Sequence, residues 1–498
     1  MAMIDCAATS VDELARLSVR LRESDDPEAA CELLTEAVRL HPREAMLWQC
    51  LGLAHRATLD NAAAVAALER ASRLAPEDGT IAHALAHVSM EAGLPAIDLF
   101  DRALALRPGE GSVLTGRAAA QFAAGEFEPA IADLEAVCRT SVLWQEGHRL
   151  LADLKWQCGY GAASTGNYRE ALAAHPQSKP LWLGLLDAIM RVENYAEAQS
   201  VLHAAQQSLG EVDELLAIRA ICASELDDTS TADACFATLF AQARYLQDGD
   251  LLSRGARHLL RSHRPDAAAT LLQTGVALPD ASKLWPYLAI AWRLLDDPRW
   301  RWLEGDDQLV QRIRVYQQNE LPELVQCLRA MHDAAHEPPG QSVRNGSQTD
   351  GPLFARIEGP IADLRRRVEQ AVKAHIGDLG PIVAGHPTLG HRPRRVRFVG
   401  SWSVRLQGTG YHSNHVHPQG WLSSALCIGM PDVAECGPAP AGHLQFGVPP
   451  AELGIMLEPT RLIAPEPGWL TLFPSTMWHG TLPIAAGERL TVAFDVKP

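Results

Sequence analysis

No run of about 18 consecutive apolar residues occurs anywhere in the 498-residue sequence, so no membrane-spanning helix is expected. There is no C-x-x-C pair and no dense cysteine framework. The ten cysteines (Cys6, Cys31, Cys50, Cys138, Cys158, Cys222, Cys235, Cys327, Cys427, Cys436) are scattered and read as reduced, mostly buried thiols. Positive charge is in deficit: 44 Lys+Arg against 60 Asp+Glu give a formal charge of -16. That balance argues against a general nucleic-acid binder, because phosphate affinity comes from lysine and arginine. Residues 1–20 carry acids and lack the basic-then-apolar pattern of an export signal, so the expected location is cytoplasmic.

What is present is ordinary for a folded chain: 47% hydrophobic and 21% charged residues. The length predicts two or more domains, each able to bury a core. Over the first three hundred residues prolines mark a period, since Pro42, Pro76 and Pro108 lie 34 and 32 residues apart. Between them Trp48, Leu51, Gly52 and His55 fall on a first helix, and Ala64, Leu68, Ala71 and Pro76 on and after a second. The preceding unit supplies Ala30, Leu34, Ala37 and Pro42 at the matching second-helix positions. Small residues let paired helices approach, larger apolar ones fill the seam between units, and proline stops the second helix. This stretch resembles the tetratricopeptide repeat. Weaker units follow at Gly125, Ala130 and Leu134, at Trp182, Leu183 and Gly184, and at Asn194, Tyr195 and Ala198. Helical pattern continues through Leu259, Leu272 and Leu294.

From about residue 337 the texture changes to Gly, Pro and Thr punctuation, as in Glu337-Pro338-Pro339-Gly340 and Asn345-Gly346-Ser347. One amphipathic helix is predicted over 360–376, and after it the period becomes that of strands. Trp402, Val404 and Leu406 alternate with Ser403, Arg405 and Gln407; Leu490, Val492 and Phe494 alternate with Thr491, Ala493 and Asp495. Short strands between Gly/Pro turns predict a β-sandwich or jelly roll.

Within this region lies His412-Ser-Asn-His415-Val-His417-Pro418, followed 62 residues after His417 by His479 in Trp478-His479-Gly480. On an extended segment His415 and His417 point to one face. With a distant third imidazole they can occupy one face of a metal and leave the other open. Ten residues past His479 comes Arg489, with Thr491 on the same strand face. A guanidinium can clamp a carboxylate through two parallel hydrogen bonds, and a hydroxyl can add a third.

The stretches 341–349, 400–405, 414–421, 472–480 and 489–494 carry a likeness. The chain resembles the jelly-roll Fe(II)- and 2-oxoglutarate-dependent oxygenases, specifically the bacterial group with tetratricopeptide repeats ahead of the oxygenase domain. The resemblance implies an all-α tetratricopeptide-like solenoid over 1–305, a linker and helical lead-in over 306–351, and a double-stranded β-helix (jelly-roll) oxygenase domain over 352–498. It implies Fe(II), 2-oxoglutarate as cosubstrate and O2, with His415 and His479 as iron ligands and Arg489, aided by Thr491, holding the far carboxylate of 2-oxoglutarate. One departure stands out: the wider superfamily usually has His-x-Asp where this chain has His415-x-His417. Iron is then held either by three imidazoles, the reading adopted for the site His415, His417, His479 and Arg489, or by two with His417 outside them.

The expected activity is hydroxylation of a peptide or protein recruited by the repeats, with no nucleic acid or membrane partner and the oligomeric state left open. Alternatives are a small-molecule hydroxylase of the same type, a non-catalytic scaffold, and a metal-dependent jelly-roll enzyme without 2-oxoglutarate, against which Arg489 counts. His412 and His443 are expected as hydrogen-bonded structural residues, and Trp402, Trp421, Trp469 and Trp478 as core or pocket wall. The basic runs 365–367 and 392–397 are expected as solvated faces. Gln348 and Thr349 are expected in a loop, either covering the pocket or forming a plain surface turn.

Overall fold

The computed structural model of the chain describes residues 6, 8–210, 212–332, 339–349 and 351–498, so Glu337 and Pro338 of the expected linker lie outside the described residues. The chain divides into two units, Met1–Leu154 with Asp350–Arg365 and Lys155–Thr349 with Arg366–Pro498.

Each unit carries antiparallel helix pairs. In the first, Val11–Glu23 pairs with Pro27–Leu40, Ala45–Ala57 with Asn61–Leu74, Gly79–Glu91 with Ile97–Leu106, and Gly111–Ala123 with Phe127–Thr140. The turn inside each pair passes through one residue of positive φ: Asp25, Leu59, Gly93 and Gly125 in the first unit, Gly159, Glu193, Asp227, His263 and Asp296 in the second. A left-handed residue just past a helix lets the next N–H reach back to the helix's last turn. Asp26 N donates to Leu21 O at 2.9 Å, Asp60 N to His55 O at 2.9 Å and Leu94 N to Ser89 O at 2.9 Å. Asp26 and Asp60 then cap the following helices by accepting from Ala29 N and Ala63 N. Trp48 donates its indole N–H to Pro42 O at 3.1 Å and Trp182 to Pro176 O at 2.8 Å, tying the start of one helix to the turn before it. Gly52 is small by necessity, since a Cβ there would lie 2.6 Å from Leu68 Cγ.

In the second unit the helices Lys179–Arg191, Tyr195–Leu209, Asp213–Glu225, Thr229–Phe240, Gly249–Arg261, Pro265–Gln273, Trp285–Leu294 and Arg299–Glu304 precede nine strands. These are β1 Gln311–Arg314, β2 Val343–Gln348, β3 Phe398–His412, β4 Leu422–Gly429, β5 Leu444–Phe446, β6 Arg461–Ile463, β7 Trp469–Pro474, β8 His479–Thr481 and β9 Glu488–Val496. They form a six-stranded sheet in the order β1-β7-β4-β9-β3-β2 and a three-stranded sheet β6-β5-β8, with every pairing antiparallel. Leu444 and Phe446 of the small sheet pack on Phe473 of the large one, with Met477. The chain is therefore helical repeats followed by an antiparallel β-sheet domain. The interval 306–351 contributes β1 and β2, the two edges of the large sheet, as well as the helix Pro322–Arg329.

Two expectations about charge need correction. In the helix Gly359–Asp378, Arg365 donates to the carbonyls of Phe354, at 3.0 Å, and Leu59, while Arg367 donates to Val315 O at 3.1 Å, pairs with Glu320 at 2.9 Å and lies over the Tyr316 ring. Both are half-buried ties, because a long stem can pack while its fork reaches a carbonyl. Arg394 and Arg395 are exposed, as expected, but Arg392 donates to Gly380 O at 2.7 Å. Among the described residues all ten cysteines are free thiols, and no helix is long and apolar enough to cross a membrane.

Candidate metal centre

Strand β3 ends at His412, and the chain then runs beside β8. His415 and His479 exchange both backbone hydrogen bonds (2.9 and 3.1 Å), which sets the two residues side by side, and His417 N donates to Ser475 O at 2.9 Å. Extended geometry sends alternate side chains to opposite faces. His415 and His417 line a recess, whereas Val416 between them packs into the helical core of the second unit with Leu252, Leu288 and Trp292. Trp478 does the same beside His479: it is buried in that cluster and donates its indole N–H to Pro286 O at 2.9 Å. The two segments carrying the histidines are thus held from behind by the helices.

The three rings converge, with centroids 4.3 Å (His415–His479), 4.9 Å (His415–His417) and 5.2 Å (His417–His479) apart. One ring nitrogen from each lies within 4.8 Å of the others. In every case Nδ1 faces an acceptor: Ser413 O at 2.7 Å for His415, Met477 O at 2.9 Å for His479, and the Asp495 carboxylate at 2.7 Å for His417. An acceptor at Nδ1 requires the proton there, and in a neutral ring that leaves Nε2 with a lone pair. Burial, reinforced by the neighbouring imidazoles, holds His415 and His479 well below the ordinary histidine pKa, so both are neutral. Neutral imidazoles with Nε2 presented are a donor set that fits a first-row divalent cation such as Fe(II).

Arg489 borders the same recess. It is 3% exposed, donates from Nη1 to Gly442 O at 2.6 Å and from Nε to Thr491 Oγ1 at 3.4 Å, and among the described residues has no carboxylate within ion-pair distance. Burial lowers its pKa. Its neighbour Glu488 is engaged elsewhere, by Arg329 at 2.7 Å and Arg405 at 2.6 Å. A buried cation without a counter-ion is costly and marks a place for an anion. Thr491 and Ala493 line the recess beside it, with Val404 and Trp402 directly opposite them across the β3–β9 pair.

Several expected residues land differently. Gln348 ends strand β2 and lines the recess, so it is not in a loop, while Thr349 lies just past the strand and is buried, its hydroxyl accepting from Ser403 N at 3.0 Å, so it is no plain surface turn. His412 is hydrogen-bonded, to Ser342 Oγ at 3.2 Å, but it also lines the recess, where burial pushes its pKa down to about 3. His443 is bound to Ala441 O and stays structural. Trp402 stacks on His417 at 5.5 Å, Trp421 is buried, and Trp469 lies under Arg312 and Arg314. Sequence reasoning missed Ser342, which touches His412 and His415, and Asp495 with its partner Ser423. For Asp495 a signal existed: it shares a strand face with Arg489 and Thr491.

The family described as "Putative 2OG-Fe(II) oxygenase" matches residues 400–495. That segment holds all three histidines, Arg489 and Thr491, and is well under half of the chain. No curated protein matches. Solved structures similar to the chain include a tetratricopeptide repeat protein from Parabacteroides merdae (TM-score 0.30, 18% identity, 46% of this chain and 91% of that one). PilF of Pseudomonas aeruginosa (0.27, 18%, 39% and 90%) is another. A thermophilic tetratricopeptide repeat protein of Thermus thermophilus (0.28, 18%, 36% and 100%) is a third. At these scores the repeat assignment rests on the helix pairs and the spacing of their turns.

Proposed function

We propose that this chain is an Fe(II)- and 2-oxoglutarate-dependent oxygenase that hydroxylates a peptide or protein substrate, with its two sheets forming a double-stranded β-helix. The observation that carries the reading is the pairing, in one recess, of three Nδ1-anchored imidazoles with a buried arginine that has no acidic partner among the described residues. His415, His417 and His479 would hold the iron. When bound, iron and 2-oxoglutarate supply oxygen activation coupled to decarboxylation, releasing succinate and CO2.

The chain's own part is positioning. The guanidinium of Arg489 receives the 5-carboxylate of 2-oxoglutarate and the Thr491 hydroxyl supplies a further hydrogen bond, which orients the cosubstrate's other end toward the histidines. Trp402, Val404 and Ala493 give the recess apolar walls, and these exclude water and strengthen the charge contacts inside it. Recruitment of a peptide by the helical repeats is suggested by the surfaces that such helix pairs offer to extended chains.

The test is succinate release from 2-oxoglutarate by the purified, Fe(II)-loaded chain, with and without a peptide library. His415→Ala and His479→Ala are expected to lose metal binding and turnover together, and full activity in either would remove the metal assignment. Equal stimulation by small metabolites and by peptides would move the substrate class away from protein.

A further inference from the structure

We propose that Asp495 is a positioning residue for the metal, and that through it His417 becomes the third ligand. This rests on the metal reading of the site and goes beyond it by assigning the residue that makes the third imidazole competent. Asp495 is buried, and its Oδ2 accepts the Nδ1 proton of His417 at 2.7 Å. Its other oxygen accepts the Ser423 hydroxyl at 2.6 Å, and Ser423 in turn accepts from the Ser475 hydroxyl at 2.9 Å. The sheet register places this pair by construction, because Ser423 of β4 stands directly opposite Asp495 of β9.

The chain closes tightly over the carboxylate. A Cβ at Gly420 would lie 2.5 Å from Ser475 Oγ and 3.1 Å from the Asp495 Cβ, so only glycine fits where the segment after His417 passes. Trp402 covers one face of the His417 ring at 5.5 Å with planes 3° apart, while Asp495 holds its edge. A ring stacked on one face and bonded at Nδ1 has one way to aim Nε2, and that is toward His415 and His479. Asp495 is not itself a member of the donor cluster, since it occupies the Nδ1 side of the ring.

Charge gives the arrangement its chemical sense. Imidazole ligands bring no negative charge to a divalent cation, and the anchors of His415 and His479 are backbone carbonyls, which are neutral acceptors. Among the described residues Asp495 is the one carboxylate bonded to the triad, and its ion pairing is to His417 alone. A carboxylate on Nδ1 fixes the tautomer and raises the basicity of the ligating nitrogen. His417 with Asp495 behind it therefore delivers to the metal, through the ring, part of the charge that a carboxylate ligand would deliver directly.

The experiment is Co(II) titration of the full chain, followed by its visible absorption, for the unsubstituted protein and for Asp495→Ala, Asp495→Asn and Ser423→Ala. The expected result is a Kd raised about 10- to 100-fold in Asp495→Ala with an altered Co(II) spectrum. A smaller rise is expected in Asp495→Asn, whose amide oxygen keeps the hydrogen bond without the charge, and in Ser423→Ala. Melting of the metal-free variants is measured separately, because a purely structural Asp495 would lower that and leave Co(II) affinity and spectrum alone. Unaltered affinity and spectrum in Asp495→Asn and Asp495→Ala overturn the proposal; if the alanine variant does not fold, the asparagine variant decides. Failure of the unsubstituted chain to take up Co(II) at all would instead overturn the metal reading on which this one stands.

Discussion

At the level of single residues the most informative is Arg489, which is buried without an acidic partner among the described residues, an arrangement that costs stability and that a bound anion would offset. Arg489→Leu is expected to raise the KM for 2-oxoglutarate about tenfold to several hundredfold, from the roughly 1.5–3 kcal/mol of a charge-assisted bond and the cost of stranding its partner. Co(II) affinity should hold, and thermal stability without cosubstrate should not fall. Arg489→Lys should lie between, keeping the charge and losing the fork. An unaltered KM in the leucine variant would withdraw the cosubstrate assignment even with the metal site intact. With alternation on extended chain to put His415 and His417 on one face, and the family resemblance to add His479 and Arg489, all four proposed site residues were legible in the sequence. Asp495 was not, although it alternates with Val492 and Phe494 just as Arg489 does. Polar residues on alternate strand positions ordinarily read as a solvent face, whereas here that face is buried and lines or adjoins the recess. His412 and Ser342 depend on a contact between residues 70 apart in the chain, which no local pattern carries.

Among the elements, the helix pairs were legible from Gly52, Trp48 and the prolines, but the clearest marker of the period was hidden. The left-handed turn recurs at Asp25, Leu59, Gly93 and Gly125, and again at Gly159, Glu193, Asp227, His263 and Asp296, yet glycine fills it only three times. Elsewhere an L-residue tolerates positive φ at a cost of roughly 1–2 kcal/mol, which the neighbouring helices impose. Exposed Glu193 at φ 59 makes this testable. Glu193→Gly should raise stability by about 0.5–1 kcal/mol, the relief of strain less the extra chain entropy of glycine, read as a shift in urea midpoint. No change would mean that the turn is held without strain. Strand β1 escaped notice for a different reason: Gln-Arg-Ile-Arg is short and charged, as edge strands often are, and only its register with β7 reveals it. Trp478 joins the two classes of element. Trp478→Phe should cost about 1 kcal/mol through the lost bond to Pro286 O, and Trp478→Ala about 3–5 kcal/mol through the cavity left in the helical core.

For the whole molecule, two expectations follow from what is buried together. Burial pushes His332 and His375 down to about 4, below the roughly 6.5 of an unfolded chain, so between those values the unfolded chain holds protons that the folded one excludes. Their contribution is therefore fully present above about pH 6.5 and is lost as pH falls toward 4. By pH 5 each costs about 2 kcal/mol. Urea midpoints measured from pH 7.5 to 5 should fall for the parent and fall less for His375→Leu.

The second expectation concerns what the repeats are for. If they only recruit substrate, a fragment of residues 342–498 should bind Co(II) as the full chain does. The packing argues otherwise. Such a fragment lacks β1, the edge partner of β7, and it exposes Val416 and Trp478, which belong to the apolar cluster that also holds Leu252, Leu288 and Trp292. It also loses Arg293, which donates to Glu458 O at 2.7 Å and to Gly447 O beside β5. Since His415, His417 and His479 are aimed by backbone whose other face those helices cover, the fragment is expected to aggregate or to bind Co(II) at least tenfold more weakly, whereas residues 155–498 should keep the metal site. The comparison is made by Co(II) titration and near-ultraviolet circular dichroism on the three lengths. A folded 342–498 fragment with full metal affinity would reduce the second unit's helices to an appendage, and the view that they brace the histidines would have to be given up.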